Sequence, residues 1–193
     1  MVHQEEEGPW VFDTRELVRR PGTMQTAQHV VTLEDLIGTD VLGIQPGQQV
    51  KLDLRMESVV EGVLATGSVK ATATGECVRC LDPISTDVDV FFQELFAYPD
   101  RAAHHREVGA DDEQDEQREL VQDLMDLEEL VTDAVVTTFP FQPVCREDCP
   151  GLCSECGAHL SDDPEHYHEV LDPRWSVLAD LTHTAPTDDE KRT

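Results

Sequence analysis

Between Val50 and Phe96 the chain alternates apolar and polar residues. Val50, Leu52, Leu54 and Met56 are separated by Lys51, Asp53 and Arg55. Val69, Ala71 and Ala73 continue the alternation, and Ile84, Thr86, Val88, Val90 and Phe92 make a third run. Successive side chains of a strand point to opposite faces, so the pattern predicts an antiparallel meander with one buried face. Gly62 and Gly67 interrupt the second run and predict a bulge or turn there. Between the second and third runs lies GECVRCLDP, which puts Cys77 and Cys80 at a hairpin tip.

The period then changes. In ELVQDLMDLEELVTDAVVTTF, Leu120, Leu124, Leu127, Val131 and Val135 recur at helical spacing. This predicts one amphipathic helix of about five turns, stopped by Pro140. Asp123, Asp126, Glu128 and Glu129 fall on its other face and read as solvated acids rather than acid–base catalysts. Near the start, PWVFDTRELVRRPGT predicts a short strand and a turn or two of helix, with Asp13 and Glu16 as a capping box and Pro21-Gly22 as the stop. The expected fold is α+β: an antiparallel β-sheet packed by the long helix, with a zinc-knuckle-like C-terminal loop. Residues 1–140 form the expected core domain, with an acidic loop near 100–117. Residues 141–181 hold a cysteine-rich segment and a C-terminal apolar motif with Trp175, Leu178 and Leu181 at helical spacing, and residues 182–193 are a polar tail.

Charge narrows the partners. The formal net charge is -27, from 14 Lys and Arg against 41 Asp and Glu. Such a surface repels phosphate backbones and anionic membranes and favours basic partners. No apolar run approaches the roughly 20 residues that span a bilayer. MVHQEEEGPWVF lacks the basic region and apolar core of a signal peptide, so a cytoplasmic location is expected. Thiols stay reduced there, and the six cysteines point to metal or thiol chemistry rather than disulfides. No P-loop, G-x-G-x-x-G or H-E-x-x-H motif is present, and the expected protein is not an enzyme and has no small-molecule substrate.

CREDCPGLCSECGAHL places Cys145, Cys149, Cys153 and Cys156 in one short loop. Four thiolates suit tetrahedral zinc, and Cys-x-x-Cys-Gly is a typical zinc-knuckle turn. The preferred ligand set is therefore Cys145, Cys149, Cys153 and Cys156. The alternative is a ribbon that pairs Cys77 and Cys80 with Cys153 and Cys156. His159, His166 and His168 are read as surface residues, with substitution for a thiolate as their other role. Arg79 and Arg146 beside cysteines allow a redox reading, but a Cys-x-x-Cys between strands is not the thioredoxin-like setting.

ECVRCLDPI on a hairpin, FPFQPVCREDCPGLCSECGAHL after a helix, and a terminal DPRWSVLADL together resemble the bacterial large ribosomal RNA subunit accumulation protein family, the YceD-like proteins. The resemblance runs from about Leu17 to Leu181. It implies a non-enzymatic factor that supports synthesis, processing or accumulation of large-subunit (23S) ribosomal RNA. It also implies genomic company with a large-subunit ribosomal protein. Expected partners are a ribosomal protein or an rRNA-processing factor, engaged through Arg79, Trp175, Leu178 and Leu181 and through the acidic loop. Local rRNA contact by Arg15, Arg19, Arg20, Arg79 and Arg146 is the alternative. The rival functions are a zinc-binding regulatory or interaction module unrelated to ribosomes, and a thiol-disulfide oxidoreductase.

Overall fold

The computed structural model describes residues 8–101 and 118–168. The chain divides into two compact units, residues 1–149 and 150–193. The first unit is built on a six-stranded antiparallel sheet. Its strands are β2 (Met24–Thr32), β3 (Ile37–Gly38), β4 (Leu42–Ile44), β5 (Gln49–Ser58), β6 (Gly62–Glu76) and β7 (Pro83–Ala97). β6 is the spine. One of its edges pairs with β5 and then, further along, with β4, while β7 pairs with it over its whole length. β2 extends the sheet beyond β5, and β3 extends it beyond β4.

The period-two reading of β5 holds residue by residue. Val50, Leu52, Leu54 and Met56 are buried, and Lys51, Asp53 and Arg55 are exposed. Val63, Ala65, Val69 and Ala73 of β6, with Val88, Val90 and Phe92 of β7, continue the same buried face. Gly67 is not a bulge, as expected above, but a fully paired residue between Leu54 and Phe92. A Cβ there would come within 2.6 Å of the Phe92 ring and 2.8 Å of the Asp53 carbonyl oxygen, so the sheet needs a residue without one. β2 was not foreseen. Only Val31 of its nine residues is fully buried, so its alternation is faint in the sequence.

The expected five-turn helix is replaced by two elements. β8 (Leu124–Asp126) pairs with β1 (Val11–Asp13) in a second, two-stranded sheet, and helix α1 covers only Glu128–Val136. Gln122 and Asp123 take positive φ angles of 55° and 64°, which a right-handed helix does not contain. The backbone groups here are satisfied by tertiary partners instead. Thr14 donates its N–H (2.9 Å) and its hydroxyl (2.7 Å) to the Asp123 carbonyl oxygen, and Leu127 donates to that of Trp10 (3.1 Å). The helical spacing of Leu120, Leu127, Val131 and Val135 still marks core residues, all of them buried, but half of that spacing belongs to extended chain. α1 packs against β3 and β7 and closes the core with Leu130, Val131 and Val135.

After β1 comes the expected single turn of helix, a 3-10 turn at Arg15–Leu17. Its start is not a capping box. Asp13 accepts the Arg15 N–H at 2.9 Å, and Thr14 occupies the cap position without a side-chain bond to the turn. Among the described residues no helix is long and apolar enough to cross a membrane.

Candidate metal centre

β6 and β7 run on from their last pair, Glu76 with Pro83, into a knuckle at 77–82. The Cys77 N–H donates to the Asp82 carbonyl oxygen at 2.8 Å, and the Leu81 N–H donates back to that of Cys77 at 2.9 Å. Leu81 accepts a left-handed φ of 63° to make this turn. Beyond α1 the chain returns to the hairpin tip, where the Val78 N–H donates to the Pro143 carbonyl oxygen at 2.9 Å. Arg79 fastens the returning segment, because one guanidinium nitrogen donates to the carbonyl oxygens of Glu147 and Cys149, each at 3.1 Å.

This brings four sulfurs together. The donor atoms of Cys77, Cys80, Cys145 and Cys149 all lie within 4.8 Å of one another. Cys77 and Cys149 are 3.8 Å apart at sulfur, and Cys80 and Cys145 are 3.6 Å apart. A tetrahedron with metal–sulfur bonds of about 2.3 Å has sulfur–sulfur edges of about 3.8 Å. A disulfide needs about 2.05 Å, and all six cysteines are free thiols. The four residues are therefore positioned to hold one metal ion.

The surroundings favour ligation over packing. Cys77, Cys80 and Cys149 form a small buried cluster of their own, against which the partly buried Ile84 and Val144 pack, and Ile84 also packs against the main core. Burial pushes the Cys77 thiol up, yet the backbone N–H groups of Cys145, Cys80 and Arg79 outweigh it and draw the thiol down to about 6. Burial raises Cys145. At Cys80 the Asp82 N–H pulls downward, but burial and the Asp82 carboxylate, 3.2 Å away, push the thiol well above its ordinary value. Without a cation the four sulfurs share too little positive charge to ionise together, and a divalent ion removes that conflict.

The structure regroups the ligands expected from spacing. Cys145 and Cys149 gather with Cys77 and Cys80, whereas Cys153 and Cys156 gather with His166 and His168 in the second unit. The local set Cys145, Cys149, Cys153 and Cys156 and the ribbon of Cys77, Cys80, Cys153 and Cys156 each take two ligands from either group. His166 and His168, read above as surface residues with substitution for a thiolate as their other role, are the two that join Cys153 and Cys156. The signal was there in an H-x-H following a Cys-x-x-Cys on a short polar loop. Trp175, Leu178 and Leu181 lie outside the described residues, as do 102–117 of the acidic loop.

Three of the five arginines considered for RNA contact have carboxylate neighbours. Arg15 lies 3.4 Å from Asp13, Arg19 lies 3.0 Å from Asp123 and 3.5 Å from Asp100, and Arg146 lies 3.5 Å from Asp148. Arg19 also stacks over the Tyr98 ring, 4.7 Å from its centroid.

An antiparallel β protein with a cysteine centre at a hairpin tip and a second cysteine–histidine cluster is the class that these features define. A family model described as large ribosomal RNA subunit accumulation protein YceD matches residues 65–182, a span that holds both clusters, and the chain belongs to that family. It is 46% identical over 173 residues to the uncharacterized protein Rv2926c of Mycobacterium tuberculosis (strain ATCC 25618 / H37Rv), covering 90% of this chain and 81% of that one. The uncharacterized protein ML1660 of Mycobacterium leprae (strain TN) is 43% identical over 173 residues, covering 90% of this chain and 77% of its own. No solved structure gives a significant match.

Proposed function

We propose that this protein supports the synthesis, processing or accumulation of large-subunit (23S) ribosomal RNA and does so by binding a partner rather than by catalysis. The observation that carries the reading is the family match across residues 65–182. The partner is a basic one, a ribosomal protein or an rRNA-processing factor. A net charge of -27 supports this choice, as do the acidic neighbours that offset Arg15, Arg19 and Arg146. Arg79, Trp175, Leu178 and Leu181 are the residues we assign to that contact.

Zinc is the ion we assign to Cys77, Cys80, Cys145 and Cys149. Four cysteine sulfurs at tetrahedral spacing suit a closed structural site, with no position left for substrate. Its task here is to clip the segment after α1 to the tip of the β6–β7 hairpin, which orders the surface around Arg79. That assignment also sets the protein apart from a thiol oxidoreductase, since dithiol–disulfide cycling at these cysteines would require the ion to leave.

The test is the ratio of large- to small-subunit ribosomal RNA in cells depleted of the protein. A fall in the large-subunit species with a change in its precursors is the expected result. An unchanged ratio with impaired growth would sink the ribosomal reading and favour a zinc-dependent interaction module. Ultraviolet crosslinking separates the modes of contact: RNA adducts at Arg15, Arg19 or Arg146 would overturn the partner-only account.

A further inference from the structure

We infer that Cys153, Cys156, His166 and His168 form a second and independent zinc site, of mixed thiolate and imidazole type. Their four donor atoms lie within 4.8 Å of one another. The Cys156 sulfur is 3.2 Å from His166 Nε2, and His166 Nε2 is 2.9 Å from His168 Nε2. With zinc–sulfur bonds near 2.3 Å and zinc–nitrogen bonds near 2.05 Å, tetrahedral edges are roughly 3.5 Å for S···N and 3.3 Å for N···N. An opening of a few tenths of an ångström at each edge admits the ion.

The backbone carries a second, independent observation. The Cys153 N–H donates to the Ala158 carbonyl oxygen at 2.8 Å, and the Gly157 N–H donates to that of Cys153 at 2.9 Å. These are the same two bonds, at the same offsets, that shape the knuckle of Cys77 and Cys80. Gly157 takes the left-handed conformation, φ 74°, where the first knuckle has Leu81 at 63°. The second knuckle is thus folded like the one that faces four sulfurs. A bridge between Leu152 and His159 and a bond from the Leu160 N–H to the Gly151 carbonyl oxygen (3.0 Å) close its hairpin. A turn at Asp163, whose carbonyl oxygen accepts the His166 N–H at 3.0 Å, then brings the histidines back to it.

Burial does not explain the convergence. Cys156 and His168 are exposed, and Cys153 and His166 are half-buried. The two rings meet edge to face, 4.7 Å between centroids and 79° between planes. Holding four such side chains together in water costs conformational entropy that burial this incomplete offsets only in part. Coordination offsets it. Borderline-soft nitrogen and sulfur donors without a carboxylate select zinc over magnesium or calcium. The filled site is neutral, two thiolates against one divalent ion, whereas four thiolates at the first site leave a dianion.

This inference does not rest on the ribosomal reading. It is tested on the full-length protein, produced with zinc and dialysed, by metal content per chain. Two equivalents are expected. His166→Ala with His168→Ala should leave one, and Cys77→Ser with Cys80→Ser should remove the other. Cobalt exchange adds a readout that is sensitive to ligand type. The band lost with the histidine pair should carry thiolate charge transfer of about half the intensity of the band lost with Cys77 and Cys80, in proportion to sulfur count. Should the histidine variant fail to fold, Cys156→Ser provides the same comparison. A wild-type protein with one equivalent that is lost with Cys77 overturns the second site. Two equivalents retained in both the histidine variant and Cys156→Ser overturn it as well. One equivalent lost only with Cys156 upholds it and removes the first site instead.

Discussion

Removing the ion from the hairpin-tip centre has a cost that follows from where its ligands sit in the chain. Cys80 and Cys145 are 65 residues apart. A cross-link closing a loop of that length restricts the unfolded chain by about 4 kcal/mol. A site confined to Cys145 through Cys156, 11 residues apart in the sequence, would contribute only about 3 kcal/mol. For a chain of this size about 4 kcal/mol corresponds to a fall in Tm of roughly 8–16 °C. The measurement is thermal and denaturant unfolding of the metal-loaded and chelator-stripped protein, with hydrogen exchange read in parallel. Exchange should quicken at the Val78 amide, which is bonded to Pro143, and through 141–149, while the β5–β6 ladder stays protected. Cys80→Ser should reproduce the loss, and Cys153→Ser should leave the transition of the first unit unchanged. An unchanged Tm in protein shown by mass analysis to have lost both ions would falsify the argument. So would a Tm loss confined to Cys153→Ser.

Other substitutions probe the fold that carries the centre. Gly75→Ala puts a Cβ 2.0 Å from the Val41 carbonyl oxygen, a backbone atom that cannot swing away, and should cost about 1–3 kcal/mol in urea unfolding. Val131→Ala, at a fully buried position on α1, should cost about 1–3 kcal/mol through lost burial and the cavity left behind, read the same way. Tyr98→Phe strips the buried Ser58 hydroxyl of its 3.0 Å partner and should cost about 1–3 kcal/mol. Adding Ser58→Ala should then recover part of that loss, and strictly additive effects in the cycle would count against the bond.

How much of this was legible in the sequence depends on how local each signal is. β5, β6 and β7 were readable because alternation over one strand already states which face is buried, and Val50 to Met56 state it without exception. β8 was not. Leu120, Leu127, Val131 and Val135 satisfy a helical period, but Trp10, β1 and Thr14 supply the backbone partners of Leu127, β8 and Asp123 in place of a helix. That competition is set by residues more than a hundred positions away. The cysteines behave likewise. Each Cys-x-x-Cys announces a knuckle, because a knuckle is local. Which further ligands complete it is decided by the path of the chain: Cys77 and Cys80 are closed by the segment that follows α1, and Cys153 and Cys156 by a turn at Asp163. Counting short spacings inside Cys145–Cys156 gave no sign of Cys77 and Cys80 as partners of Cys145 and Cys149, or of the histidines as partners of Cys153 and Cys156.

The hairpin-tip centre also sets an order of events during synthesis. Cys77 and Cys80 leave the ribosome with the sheet's middle strands, and their knuckle forms from its own backbone bonds. Cys149 follows 72 residues after Cys77, once β8 and α1 have been made. Domains tend to fold from the N-terminal side as they emerge. The ion therefore cannot be fully enclosed until the last structural piece of the first unit exists. With an ion held as proposed, loading would mark completion: a chain truncated before Cys145 leaves Cys77 and Cys80 without the two ligands that close their site.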